Sequence, residues 1–196
     1  MDFPLIFRIG GFSLTAHLLF ETLAYFIGYR YFIYLRSKNA DPIGDNNRVL
    51  ILIGAAAGAF LFSRLIGSLE DPRALINSSS PWLQLFGGKT IIGGLLGGLA
   101  GVEITKKIIG ENNSSGDLFT YPLMLAMIIG RIGCFFNGIH EPVYGTETTH
   151  FTGIDLGDGI KRHPLALYEI GFLILLWYAL RLTVKKYPLP NGMLFK

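Results

Sequence analysis

One cysteine, Cys134, stands in the 196 residues, which excludes an intrachain disulfide framework and any multi-cysteine metal site. Charge is scarce too: Asp, Glu, Lys and Arg make up 16% of the chain and the formal net charge is +3. No basic cluster occurs of the kind that tracks a nucleic-acid backbone, so no nucleic-acid partner is expected. Met1 to Phe12 lacks the positive segment, apolar stretch and small-residue cleavage site of a secretory signal peptide, so the first membrane segment is expected to stay attached. Gly88-Lys89-Thr90 lacks the rest of a phosphate-binding P-loop, because the pattern requires a glycine where Leu83 stands and no strand precedes it. His140 and His150 lack ligand spacing, and neither a metal nor a cofactor is expected. No internal repeat pairs the two halves.

Apolar sequence, by contrast, is abundant. The chain is 51% hydrophobic, contains 25 glycines and has a mean hydropathy of +0.44. This composition predicts an all-α, polytopic integral membrane helical bundle, since several stretches reach the ~20 residues that cross a ~30 Å hydrocarbon core. We expect a single transmembrane domain over residues 1–196, with about five spans at residues 12–35, 49–66, 90–109, 118–137 and 164–183. Basic residues gather around Arg30, Arg36, Lys38 and Arg48, at Lys106 and Lys107, and at Arg181, Lys185 and Lys186. The positive-inside rule then puts the N-terminus outside and the end of the fifth span inside. Residues 139–162 become a long outer loop, and a loop of this length is more often functional than a mere link. Residues 68–88 form another outer connection, in which Trp82 suits the membrane interface. Small residues at four-residue spacing, Gly54 and Gly58 in the second span and the interleaved Gly93, Gly97, Gly101 and Gly94, Gly98 in the third, predict close helix contact.

Within this apolar background Gly130-Arg131-Ile132-Gly133-Cys134-Phe135-Phe136-Asn137-Gly138 stands out. An arginine in a membrane segment costs about 2.5–3.5 kcal/mol on insertion scales, so it normally faces a cavity and has an anionic partner. Two readings are open: Arg131 awaits a lipid phosphate, or it pairs with a buried carboxylate such as Glu21, Glu103 or Glu169. Gly130, Gly133 and Gly138 would let a helix or ligand approach the backbone. In the first span His17 and Glu21 are four apart and share a helical face. Lys89, just before a helix start, could bind an anionic headgroup or snorkel to the interface. His163-Pro164 opens the fifth span, with Tyr168 and Glu169 one turn in.

Three blocks taken together resemble the prolipoprotein diacylglyceryl transferase family: Gly130-Arg131-Ile132-Gly133-x-Phe135-x-Asn137-Gly138, Arg162-His163-Pro164-x-x-Leu167-Tyr168-Glu169, and Gly93-Gly94-Leu95-x-Gly97. The resemblance covers nearly the whole chain. It implies a multi-pass enzyme of the bacterial inner membrane that moves diacylglyceryl from phosphatidylglycerol to the lipobox cysteine of a prolipoprotein signal peptide. Arg131 would bind the lipid phosphate, with Asn137, Gly138, Gly93, Gly94, Lys89, Arg162, His163, Tyr168 and Glu169 lining the substrate site. The chain departs from the family pattern in four ways. Ile92 replaces a histidine, Glu21 falls where a first-span tyrosine is expected, Cys134 replaces an asparagine, and Ile139-His140 stand where an acid is expected. The family also continues into further spans beyond residue 196, so a fragment or a shortened branch is expected.

Thioether formation requires a thiolate and stabilisation of a departing phosphate. With the family histidine absent, Glu21 and His17 are the candidate proton acceptors, although a hydrogen bond from Tyr25, Tyr168 or Arg131 would equally account for Glu21. His163 reads as a helix-start residue hydrogen-bonded to the loop, and Cys134 as a small packing residue. The competing class is a noncatalytic lipid-binding protein or small transporter, in which Arg131 and Glu21 pair along a membrane path.

Overall fold

The computed structural model describes residues 3–39, 41–70, 72–73, 80, 88–187, 189–190 and 192–195. Five long helices are present among them: α1 (Ala16–Lys38), α2 (Asp45–Leu69), α3 (Ile91–Ile109), α4 (Asp117–Asn137) and α5 (Leu165–Lys186). The protein is thus mostly helical, as its hydropathy predicts. On length and apolarity, Asp45–Leu69, Asp117–His140 and Leu165–Lys186 can each cross a membrane. Helices α1 and α3 reach ~34 and ~28 Å at ~1.5 Å per residue; α1 is less apolar, with His17, Glu21 and Arg30 along it, and α3 is highly apolar but carries Glu103, Lys106 and Lys107 near its end. Large side chains such as Tyr25, Phe26, Leu96, Ile108, Phe172 and Leu175 stand exposed on the helices, a surface suited to lipid.

The chain forms two units, Met1–Ala40 with Ser114–Lys196, and Asp41–Asn113. In the second unit α2 and α3 run antiparallel, Gly54 meeting Gly101 and Thr105, Gly58 meeting Gly97, and Gly93 meeting Phe62 and Ile66. A methyl on Gly58 would run into the Gly97 carbonyl, and one on Gly97 or Gly101 into the carbonyl of Gly58 or Gly54. Only one of the two expected glycine ridges makes this contact. At Gly94 and Gly98 an added methyl would find ordinary spacing of 3.8 and 3.6 Å. Ser63 Oγ donates to the Thr90 carbonyl at 2.9 Å and ties the start of α3 to α2. Arg48, expected in a cytoplasmic loop, lies inside α2 and is fully buried against Asp41, whose carboxylate also accepts the Ile43 N–H. A buried, paired guanidinium is not a free topology signal. Pro81 and Trp82 lie outside the described residues.

In the first unit α4 is central and antiparallel to both neighbours. Gly28 of α1 packs on Ala126 and Pro122, Phe32 stacks on Phe119 at 4.5 Å, and Phe20 stacks on Phe136 at 5.8 Å. On the other side Tyr121 meets Trp177 of α5, with ring centroids 5.0 Å apart. The first helix starts later than expected, because Phe12–Thr15 is strand β2, paired antiparallel with β1 (Ile6–Ile9). The intervening Gly10 and Gly11 both have positive φ, 55° and 87°, which a tight hairpin turn demands and glycine supplies. Thr15 then caps α1, its hydroxyl accepting from Leu18 N at 3.3 Å. The hairpin is fastened to α4 by Leu5 N–H donating to the Phe136 carbonyl at 3.0 Å. The 139–162 loop is folded on itself through β3 (Ile154–Asp155) and β4 (Lys161–Arg162), with Thr148 N–H bonded to the Lys161 carbonyl.

Candidate functional site

The C-terminal end of α4 gathers the polar groups of the first unit. Gly133 is buried against α1, and a side chain there would press on Phe20 Cβ at 2.9 Å and the His17 carbonyl at 3.2 Å. This close approach sets His17 beside Cys134. One turn later Gly138, at φ 62°, leaves the helix in a conformation that suits glycine, and a methyl there would strike the Leu156 carbonyl. The 3-10 turn Gly138–His140 that follows carries the chain back, so that Glu141 accepts from Asn137 Nδ2 at 3.2 Å. Where the family acid is missing at Ile139-His140, Glu141 follows at once, and the turn brings its carboxylate to Asn137. Sequence reading had left Glu141 in the outer loop; its signal was the glycine that turns the chain.

His17 lies between two carboxylates, Nε2 3.9 Å from Glu21 and Nδ1 3.5 Å from Glu141. Nδ1 is buried, and the Glu141 oxygen is not aligned to hydrogen-bond it. His17, Cys134 and Glu141 each bring one ligand-type atom into a group within 4.8 Å, although the sequence spacing signalled no metal set. Arg131 forms its ion pair with Glu169 of α5, through Nε, and directs NH1 to Cys134 Sγ at 3.8 Å. Of the three carboxylates named for it, Glu169 is the partner, while Glu21 faces His17 and Glu103 faces Lys106 at 3.5 Å. Of the approaches expected at Gly130, a packed helix is not found: open space lies beside it among the described residues.

The remaining expected site residues separate into two groups. His163 Nδ1 lies 3.1 Å from Tyr168 OH, which is 2.6 Å from Thr152 Oγ1, itself 2.9 Å from His150 Nδ1. Arg162 donates to Asp158 at 2.7 and 3.0 Å and covers the Tyr144 ring at 5.0 Å. The hydrogen bond from Arg162 holds the Asp158 carboxyl below the usual aspartate range. These contacts order the 139–162 loop. Lys89, Gly93 and Gly94 belong to the other unit, where Lys89 is exposed, Gly93 is buried in the α2–α3 contact and Gly94 lies at its margin.

Comparison with known proteins decides the family. The family model described as "Prolipoprotein diacylglyceryl transferase" matches residues 4–195. The chain belongs to the prolipoprotein diacylglyceryl transferase family. It is similar to the phosphatidylglycerol–prolipoprotein diacylglyceryl transferase of Fusobacterium nucleatum, 31% identical over 91% of this chain and 77% of that one. The transferase of the same name from Pasteurella multocida is 29% identical, over 96% of this chain and 71% of its own length. That of Geobacter sulfurreducens is 29% identical, over 98% and 75%. Family membership makes the chain a multi-pass membrane protein and accords with its apolar helices.

Proposed function

We propose that this protein transfers diacylglyceryl from phosphatidylglycerol to the cysteine thiol of a prolipoprotein signal peptide, in the bacterial inner membrane. The observation that carries the reading is the pairing, at one end of α4, of an anion-binding guanidinium with a proton-accepting imidazole. In the reaction the thiol sulfur attacks the diacylglyceryl carbon bonded to the phosphate oxygen. The C–S bond forms, the C–O bond breaks, and glycerol phosphate leaves. Arg131 stabilises the leaving phosphate: Glu169 occupies Nε, and the other guanidinium N–H groups offer a fork for two phosphate oxygens. His17 takes the thiol proton, with the Glu21 carboxylate 3.9 Å from Nε2 and that of Glu141 3.5 Å from Nδ1. In this role the pair His17–Glu21 replaces the family histidine absent at Ile92. Asn137 orients Glu141, and Gly138 makes the turn that brings it there.

The test is to incubate the purified protein with labelled phosphatidylglycerol and a lipobox peptide and to look for label joined to the peptide through a thioether. Lipid that binds but is never transferred would favour the noncatalytic lipid-binding reading.

A further inference from the structure

Cys134 has no part in the transfer chemistry, yet its sulfur, His17 Nδ1 and Glu141 Oε2 converge within 4.8 Å from three separate segments. A tetrahedral zinc-type ion, with bonds of about 2.0–2.3 Å, sets its ligand atoms roughly 3.3–3.8 Å apart. The 3.5 Å between His17 Nδ1 and Glu141 Oε2 is such an edge, and Nδ1 is buried without a hydrogen-bond partner among the described residues. Each of the three residues also has an outer partner. Glu21 faces His17 Nε2 at 3.9 Å, Asn137 donates to Glu141 at 3.2 Å, and Arg131 directs NH1 to Cys134 Sγ at 3.8 Å. Carboxylate behind imidazole, amide behind carboxylate and N–H behind sulfur is how ligand orientation is commonly fixed around a metal. The ligand charges match a dication. A dication held by one thiolate, one carboxylate and a neutral imidazole is neutral over its ligands; Arg131 beside it is offset by Glu169, and the Glu21 carboxylate behind His17 leaves one further negative charge. A neutral ligand set lowers the cost of holding the ion at membrane depth. A small cavity bordered by Cys134, Glu141, Gly138 and Leu156 gives about 10 Å³ beside two of the ligands, close to what one water requires as a fourth ligand.

We propose that His17, Cys134 and Glu141 bind a thiophilic divalent cation of the zinc class. Binding converts the Cys134 thiol to a thiolate, and its proton passes to water. The metal-bound form is distinct from the one that takes the thiol proton, because an imidazole with Nδ1 on the ion and its proton on Nε2 cannot accept another; the test itself involves no lipid.

The single cysteine makes the test specific to this site. Cobalt(II) added to the purified full chain in detergent should give a thiolate-to-cobalt charge-transfer band at one ion per chain, reversed by zinc and absent in Cys134→Ala. Zinc should slow maleimide labelling of Cys134 at least tenfold, and His17→Gln or Glu141→Gln should abolish that protection. No cobalt band, or protection unchanged in both glutamine variants, would overturn the proposal. Should those variants fail to fold, X-ray absorption at the zinc edge of the wild-type protein decides. One sulfur with nitrogen and oxygen neighbours is expected, and a shell without sulfur would contradict it.

Discussion

Arg131 and Glu21 carry the residue-level predictions. Arg131→Lys keeps the charge but loses the planar fork, so phosphatidylglycerol binding should weaken at least tenfold, about 1.4 kcal/mol, in a vesicle or detergent binding assay. Unchanged affinity would mean that Arg131 serves only its ion pair with Glu169. Glu21→Gln keeps shape and hydrogen bonding beside His17 but removes the carboxylate. The variant should fold and bind phosphatidylglycerol while transfer drops by about 10²-fold or more, the usual contribution of a positioned acid–base group. Normal turnover would exclude Glu21 from the reaction. At this scale the sequence revealed only part of the site. Arg131 stood out because a charge in an apolar run is costly, and Glu169 was one of three partners that hydropathy could not rank. Glu141 was hidden because its return to Asn137 depends on the backbone turn at Gly138, which side-chain pattern does not encode.

At the level of elements, the glycine face between α2 and α3 invites a paired comparison. Gly97→Ala places a methyl against the Gly58 carbonyl and should force the helices apart, lowering stability by about 1–3 kcal/mol, typical of overpacking. Gly94→Ala meets Ser63 Cβ at 3.8 Å and should be close to neutral. Thermal melts of the two variants measure the difference, and equal melting would contradict the assignment of the packing ridge. Four-residue spacing made both ridges visible in sequence, and only the partner helix selects between them. The N-terminal hairpin was missed for a related reason: Phe12–Thr15 is apolar enough to extend a helix, whereas pairing with Ile6–Ile9 through Gly10-Gly11 holds it extended. Hydropathy located the long helices well because a ~30 Å apolar layer imposes a length that composition reveals directly.

Across the whole molecule, the distribution of basic residues predicts the orientation in the membrane. In a Cys134→Ala background, single cysteines at Asn39 and at Phe151, which is 90% exposed, should be labelled by an impermeant reagent from opposite sides of the membrane. Labelling from the same side would reject the proposed orientation. Beyond topology, the account depends on whether the groups around α4 carry out transfer or merely hold lipid. The most direct measurement follows both products of one reaction, using phosphatidylglycerol, purified protein and a lipobox peptide analysed by mass spectrometry. Peptide carrying diacylglyceryl on its cysteine and free glycerol phosphate should appear in equal amounts, and neither should form when the peptide cysteine is replaced by serine. Phosphatidylglycerol that binds the protein while neither product forms would contradict the transferase account.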